Sequence, residues 1–486
     1  MPKKTGYPMD SGFERNSLYL IGSQLFILIA SLLSQVILTR NLLTSEYGII
    51  VIIIDIGMTL SLLIDFGMPT WLGREWDGSK NSVSGLIGRV LAAETKILIF
   101  LSVITLTILH LMGEIFSFAL IILSCFVLMI AEPLRLGLRL VDKTQFEAIS
   151  RSLERILIVS CYFWLESIGK LDIPNIGKVL FFCSIVTLLI TAFFYKRSVL
   201  SRFEYRKIEI GFFEILKFSI PFSLALAIYP LIGRTDKLVL AYFSGTESVG
   251  IYNIGWIVIS VGLMVTSKLR QAILPSLAEG KSLNQKIEAI MKARPLINSL
   301  VIIGIPCCLI ASYVLLEIVF PPEYLQYENN RQIGGFNLIL MMLPLWVWSM
   351  FSVGVLEATK FHDNKWAFLS SLGIGLFANV SICFVLIPSL GIVGAVLGSI
   401  LSQFAIYISV CLMNEFNRME AKSFIFELVA GIMVTSSCII LALTNSLNFN
   451  LTWNLLIGVT GISGGLLLIS IDIYISLKSK NRESFT

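Results

Sequence analysis

Leu38–Ile49 reads LTRNLLTSEYGI, and Leu240–Ile251 reads LAYFSGTESVGI. Aligned at an offset of 202 residues, the two share the opening leucine, an internal threonine and the closing Gly-Ile. Each follows one long apolar run and precedes another. Further along, LDIPNIGKVL (171–180) is echoed by LIPSLGIVGAVL (386–397), each at the same place in its half of the chain. Matching motifs in the same order, both entered from the same side, point to a parallel repeat of two six-helix lobes. That is the usual ground plan of an alternating-access transporter.

The runs around these motifs settle the solvent. Of the 486 residues, 56% are hydrophobic and 14% charged, and the mean hydropathy is +0.84. A soluble domain carries about a quarter charged residues. The apolar residues come in stretches long enough to cross a roughly 30 Å hydrocarbon core. Lipid admits only helices or closed barrels, and the period-2 alternation of barrel strands is missing. The expected fold is therefore an all-α integral membrane protein of about fourteen transmembrane helices, with no room for a soluble catalytic domain. The spans fall near 17–39, 47–67, 90–111, 115–138, 152–168, 176–195, 219–242, 249–267, 296–319, 333–356, 366–387, 391–414, 424–444 and 453–477. In domain terms, 1–195 is the N-lobe, 196–218 a basic cytoplasmic linker and 219–416 the C-lobe. Residues 417–486 add helices 13 and 14 and a tail. The first run is too long for a signal-peptide core and is expected to stay as helix 1.

Orientation follows from lysine and arginine. With the N-terminus cytoplasmic, 28 of the 37 basic residues fall in cytoplasmic segments and only Arg40, Lys170, Lys178 and Arg331 on the opposite side. Both termini are expected in the cytoplasm. The net charge of +5 is spread over short loops, so the membrane explains it and no nucleic-acid partner is expected. All eight cysteines lie in apolar runs without CxxC or Cys/His spacing, which indicates neither a disulfide framework nor a metal site. His110 and His362 are far apart, and no Gly-rich loop with a lysine could cradle ATP. No cofactor is expected.

Charges inside a bilayer are costly and mark function or pairing. Taken alone, the apolar run of helix 7 stops at Ile232, but the repeat carries the helix on to residue 242. Arg234, Asp236 and Lys237 then fall level with Leu32, Ser34 and Gln35, roughly 8–12 Å inside the outer boundary at 1.5 Å per residue. Pro230 just before them is expected to kink the helix. Helix 1 supplies a polar stripe of Gln24, Ser31 and Gln35. Asp55 lies about 12 Å into helix 2; it is either a proton-sensitive or cation-linked coupling site, or a carboxylate paired with an arginine. Arg40 and Arg74 are cationic candidates or interfacial anchors. Glu132, Arg135 and Arg139 share a face at the cytoplasmic end of helix 4, either as an ion-pair cluster or as a basic mouth for an anion.

These residues carry a family resemblance. RTDKLVLAYFSGTESVGIYNIGW (234–256), LTRNLLTSEYGI with DFGMPTWLGRE (65–75), FPPEYLQ (320–326) and IPSLGIVGAVLGSILSQ (387–403) occur in order. The chain resembles the O-antigen and capsular polysaccharide repeat-unit flippases, within the wider multidrug/oligosaccharidyl-lipid/polysaccharide exporter superfamily. The resemblance covers most of the chain and is weakest at 145–215 and in helices 13 and 14. It implies two lobes around a cationic cavity, in the bacterial inner membrane. It implies that an oligosaccharide on undecaprenyl pyrophosphate moves from the cytoplasmic to the outer leaflet for surface polysaccharide synthesis, without enzymatic chemistry. Arg234, Lys237, Asp236, Arg74, Arg40, Gln35 and Gln24 would then line the substrate path. Membrane lipids, a polysaccharide polymerase and a chain-length regulator are the implied partners.

Other classes stay open on the residues alone. A cation-coupled drug exporter of the same superfamily usually has twelve helices, whereas a peptidoglycan lipid-precursor flippase shares the fourteen-helix plan. The short external loops disfavour a glycan polymerase or ligase, and nothing resembles the repeated filter of a channel.

Overall fold

Lipid offers the backbone no hydrogen bonds, so a chain this apolar must satisfy its peptide groups within each segment. The computed structural model describes residues 11–68, 80–111, 113, 116–201, 211–279, 283–325, 333–359, 365–413, 417–446 and 451–483. Among them are fourteen α-helices and no strand. In the amino-terminal half these are α1 (Ser11–Asn41), α2 (Thr44–Asp65), α3 (Lys80–Leu111), α4 (Phe116–Leu140), α5 (Thr144–Ser167) and α6 (Ile173–Tyr195). There follow α7 (212–244), α8 (246–279), α9 (Leu283–Val319), α10 (Gly335–Thr359) and α11 (Lys365–Leu390). The last three are α12 (Ile392–Met413), α13 (Asn417–Ser446) and α14 (Leu451–Glu483). What separates α7 from α8 is Gly245, at φ 82° and ψ 170°, a conformation that glycine reaches without steric cost.

Among the described residues, eleven stretches are long and apolar enough to cross a membrane, and one of them, Ala227–Arg270, takes in parts of both α7 and α8. The core of α14, Gly458–Tyr474, is shorter, and α5 is excluded by a charged face. Several helices begin earlier than hydropathy suggests: α3 at Lys80 and α5 at Thr144. The stretch 268–295 is helical on both sides, since α8 reaches Glu279 and α9 starts at Leu283. Lysine, glutamate and arginine are good helix formers, so a helix runs on through residues at which an apolar window stops.

The chain divides into two compact units, Met1–Leu42 with Ile53–Ala227 and Leu43–Ile52 with Ile228–Thr486. In the first, Val83, Leu86, Ile87, Val90 and Ala93 of α3 bury against Leu134 of α4 and Tyr195 of α6. Glycines set the close approaches, as small residues do where helices associate in lipid. Gly57 of α2 lies against Ile122 and Cys125 of α4, and Gly137 of α4 receives the Tyr195 ring. At the start of α6 the carboxylate of Asp172 accepts the Asn175 backbone N–H at 2.8 Å.

The second unit is built on α10, whose residues Leu338–Phe351 are buried throughout. Trp346 packs against Gly262 and Gly304, and Trp348 against Gly431, with its Nε1 donating to Thr435 Oγ1 at 3.0 Å. The hairpin α11–α12 turns at Gly391 (φ 56°). Ile387–Gly391 thus closes α11, whereas the echoing Ile173–Gly177 opens α6. Helices α13 and α14 are fastened to the rest of this unit by polar bonds. Glu427 of α13 accepts from Arg294 of α9 at 2.9 Å and from Tyr407 of α12 at 3.0 Å. Asn298 of α9 donates to Asp472 of α14 at 3.2 Å. Leu43–Ile52, which holds the end of the first motif copy, also belongs here: a Cβ on Gly48 would strike Thr246 and Gly250.

Candidate functional site

The three charges that the repeat draws into helix 7 do lie within α7 and within a candidate span. Their environments differ. Asp236 is fully buried and accepts three hydrogen bonds, from Tyr252 Oη (2.6 Å), Ser399 Oγ (2.6 Å) and the Lys237 backbone N–H (2.7 Å). Two neutral hydroxyls, one from α8 and one from α12, thus solvate a carboxylate where water is scarce; an unpartnered one would cost several kcal/mol, roughly. Tyr252 is placed for this by the turn at Gly245, which folds α8 back beside α7.

Lys237 is buried too, and its Nζ stands 5.6 Å from the centroid of the Trp256 ring. The indole face attracts a cation by its quadrupole and stabilises it where hydration is poor. Tyr252 meets the same indole edge-on, at 6.5 Å between centroids. Arg234 is half-buried one turn before Lys237. A further cation, Arg270 of α8, donates to Tyr229 Oη at 3.0 Å with its guanidinium 4.6 Å from that ring. So the second unit holds cations inside a span, seated on aromatic faces.

The remaining candidates lie in the first unit. Gln24, Gln35 and Asp55 are half-buried and Arg40 is exposed at the end of α1. Near it Asn41 Nδ2 donates to Glu166 Oε1 at 3.0 Å. Arg74 lies outside the described residues. Of the sequence candidates, the structure brings together Asp236 and Lys237. It adds Tyr252, Trp256 and Ser399, which stand inside the quoted motifs but carry no charge to draw notice. The i, i+4 spacing of Tyr252 and Trp256, in the helix that follows the membrane charges, is the available signal.

Glu132, Arg135 and Arg139 belong to a connected network of the first unit. Arg135, 2% exposed, bonds Glu132 at 2.8 Å and Glu154 at 3.0 Å. Arg139 reaches Glu147 at 2.5 Å, while Arg151 joins Glu132 (2.6 Å) to Glu147 (3.3 Å). Glu147, Arg151 and Glu154 come from α5, which explains its low hydropathy. The ion-pair reading of this cluster is what the geometry supports. Among the described residues no group of three or more His, Cys, Asp or Glu side chains could hold a metal ion.

Solved structures of membrane transporters share this fold. The chain is similar to the lipid II flippase MurJ in an inward closed conformation, with a TM-score of 0.60 at 13% identity, covering 97% of this chain and 99% of that one. It is also similar to a MOP-superfamily transporter of Pyrococcus furiosus (TM-score 0.56, 13% identity, 85% and 96% covered). A MATE transporter of Vibrio cholerae, VcmN, matches with a TM-score of 0.53 at 14% identity, over 84% of this chain and 99% of that one. The fold is thus that of the MOP-superfamily transporters, a multi-pass membrane architecture. The chain belongs to the polysaccharide biosynthesis protein family, whose description matches residues 13–281. Among curated proteins it is 24% identical over 269 residues to the capsular polysaccharide biosynthesis protein CapF of Staphylococcus aureus. That match spans 54% of this chain and 65% of the relative's length.

Proposed function

We propose that the protein is a flippase that moves undecaprenyl-pyrophosphate-linked oligosaccharide repeat units from the cytoplasmic to the outer leaflet for O-antigen or capsule assembly. The observation that carries this reading is the buried Lys237, held on Trp256 inside a membrane span with Arg234 one turn away. A pyrophosphate is the anion such cations neutralise, and in a site of low dielectric the attraction is stronger than in water. The polyprenyl tail stays in lipid while the sugar passes a polar interior, in an alternating-access cycle of the two repeats. In this reading both termini are cytoplasmic, residues 196–218 link the lobes, and α13 and α14 are additions to the second. Gln24, Gln35, Arg40 and Arg74 contribute to the path from the first repeat, and Asp55 is the coupling candidate there. A polymerase and a chain-length regulator would receive the product. The protein acts as a transporter and not as an enzyme, and family membership supports this.

Replacing Lys237 or Arg234 with Ala tests the site. Export of surface polysaccharide falls at least tenfold while the protein stays in the membrane at its usual level. Undiminished export with both replaced would remove the cationic residues from the path. A drug exporter would instead show changed drug resistance with surface polysaccharide intact.

A further inference from the structure

One buried acid of the first unit with no part in the site above is Glu94. It sits on α3, fourteen residues past Lys80, inside the candidate span Ser82–Leu111. Its side chain is 0% exposed, and neither carboxylate oxygen has a hydrogen-bond partner. Around it, Val90 and Ala93 of α3 pack into the apolar core with Leu134 and Tyr195. The groups that bear on it electrostatically are themselves acids: Asp65 at the end of α2 and Glu132 of α4. Glu132 already holds Arg135 and Arg151, so its neighbouring guanidiniums are committed elsewhere. Tyr195 of α6 belongs to the same apolar core, and its hydroxyl is itself buried without a partner. On α3 the cations Arg89 and Lys96 flank Glu94 in sequence, half-buried and exposed respectively.

An ionised carboxylate in such a place is penalised three times: by lost hydration, by the absence of donors and by two like charges. Adding a proton removes all three penalties at once. A metal or sodium ion would need several oxygen ligands gathered around it. Among the described residues no cluster of three or more His, Cys, Asp or Glu side chains is available. We propose that Glu94 is a proton-binding site of the first unit, beside Asp65, and that its carboxyl group is protonated in the conformation described. The proton joins one carboxylate oxygen as an O–H bond, with no other bond made or broken, and leaves as hydronium when the site is opened to water. That the proton is exchanged during transport rests on the transporter reading; that it is bound does not.

Infrared spectroscopy on the purified full-length protein in lipid nanodiscs tests the binding. At neutral pH, without substrate, a protonated-carboxyl C=O band is expected that shifts in heavy water and disappears in Glu94→Gln. In Asp65→Asn the band persists, displaced in frequency, and sodium chloride leaves it in place. Should Glu94→Gln fail to fold, Glu94→Asp serves, because there the band moves instead of vanishing. A neutral-pH spectrum without the band, a band unchanged in both Glu94 variants, or a band removed by sodium ions would overturn the proposal. Proteoliposomes carrying a lipid-linked oligosaccharide then separate the two readings. If translocation occurs, Glu94→Gln should lose at least tenfold of its response to an imposed pH gradient. No translocation with the band present contradicts the flippase reading and leaves the proton site standing; translocation equally gradient-dependent in Glu94→Gln overturns exchange at Glu94.

Discussion

Asn253 Nδ2 donates to Tyr47 Oη at 2.7 Å, joining two buried residues 206 positions apart. Tyr47 belongs to the first copy of the repeated motif and Asn253 lies two residues past the second, and the glycines of the two copies pack on one another. A Cβ on Gly48 would come 3.1 Å from the Gly250 nitrogen, and one on Gly250 would come 3.5 Å from the Gly48 nitrogen. Tyr47 also meets the Tyr324 ring edge-on at 5.7 Å. Motifs recognised by their likeness therefore pack on one another. The glycine they share is a steric requirement of that crossing.

Substitution at the crossing follows from this. Gly48→Ala and Gly250→Ala each force a methyl group onto backbone atoms that cannot rotate away. Overpacking of this kind costs about 1–3 kcal/mol. Tyr47→Phe removes only the bond, leaves the Asn253 amide buried and costs about 1 kcal/mol. Thermal unfolding in detergent should rank both glycine variants below Tyr47→Phe, and Tyr47→Phe below the unmodified protein.

At Asp236 the expected pattern separates structure from transport. Asp236→Ala leaves Tyr252 and Ser399 without their acceptor and lowers stability by about 1–3 kcal/mol. Ser399→Ala removes one of three donors and costs about 1 kcal/mol. Lys237→Ala leaves the Asp236 bonds to Tyr252 and Ser399 in place, so its melting temperature should stay close to that of the unmodified protein while export falls. A Lys237→Ala protein that melts as early as Asp236→Ala would make the lysine structural.

Breaking the ion network of the first unit should be costly. Glu154→Ala takes one of two carboxylates from Arg135, which is almost wholly buried and keeps Glu132, so the loss should stay below the about 3–5 kcal/mol of a fully broken buried pair. Replacing both, as Arg135→Met with Glu154→Leu, removes the guanidinium together with that partner and should recover most of that loss. A double-mutant cycle on membrane expression and unfolding temperature measures the difference.

The link to α13 gives a parallel test. Glu427→Ala removes the acceptor shared by Arg294 and Tyr407 and leaves a buried guanidinium. Limited proteolysis should then cut within α13 faster than in the unmodified protein. Unchanged cleavage would mean that apolar packing alone holds α13.

Much of this architecture is legible in the residues. Apolar runs number the helices, because lipid enforces internal hydrogen bonding on every span. The repeat places Arg234, Asp236 and Lys237 in a helix that hydropathy ends too early. Helix ends are harder to read: Lys80 and Thr144 open helices beyond the reach of an apolar window. What a linear reading misses is which helices face each other. Ser399 lies 163 positions from Asp236, and nothing local marks it as the partner. Glu94 passes unnoticed for the same reason, since its isolation appears only once α3 is packed against α4.

The central claim, movement of lipid-linked repeat units across the membrane, is tested most directly by deleting the gene and locating those units. The account predicts that undecaprenyl-pyrophosphate-linked oligosaccharide accumulates on the cytoplasmic face while surface polysaccharide is lost. The intact gene restores export, and the gene carrying Lys237→Ala does not. Normal surface polysaccharide in the deletion strain, with no accumulation inside, would contradict it.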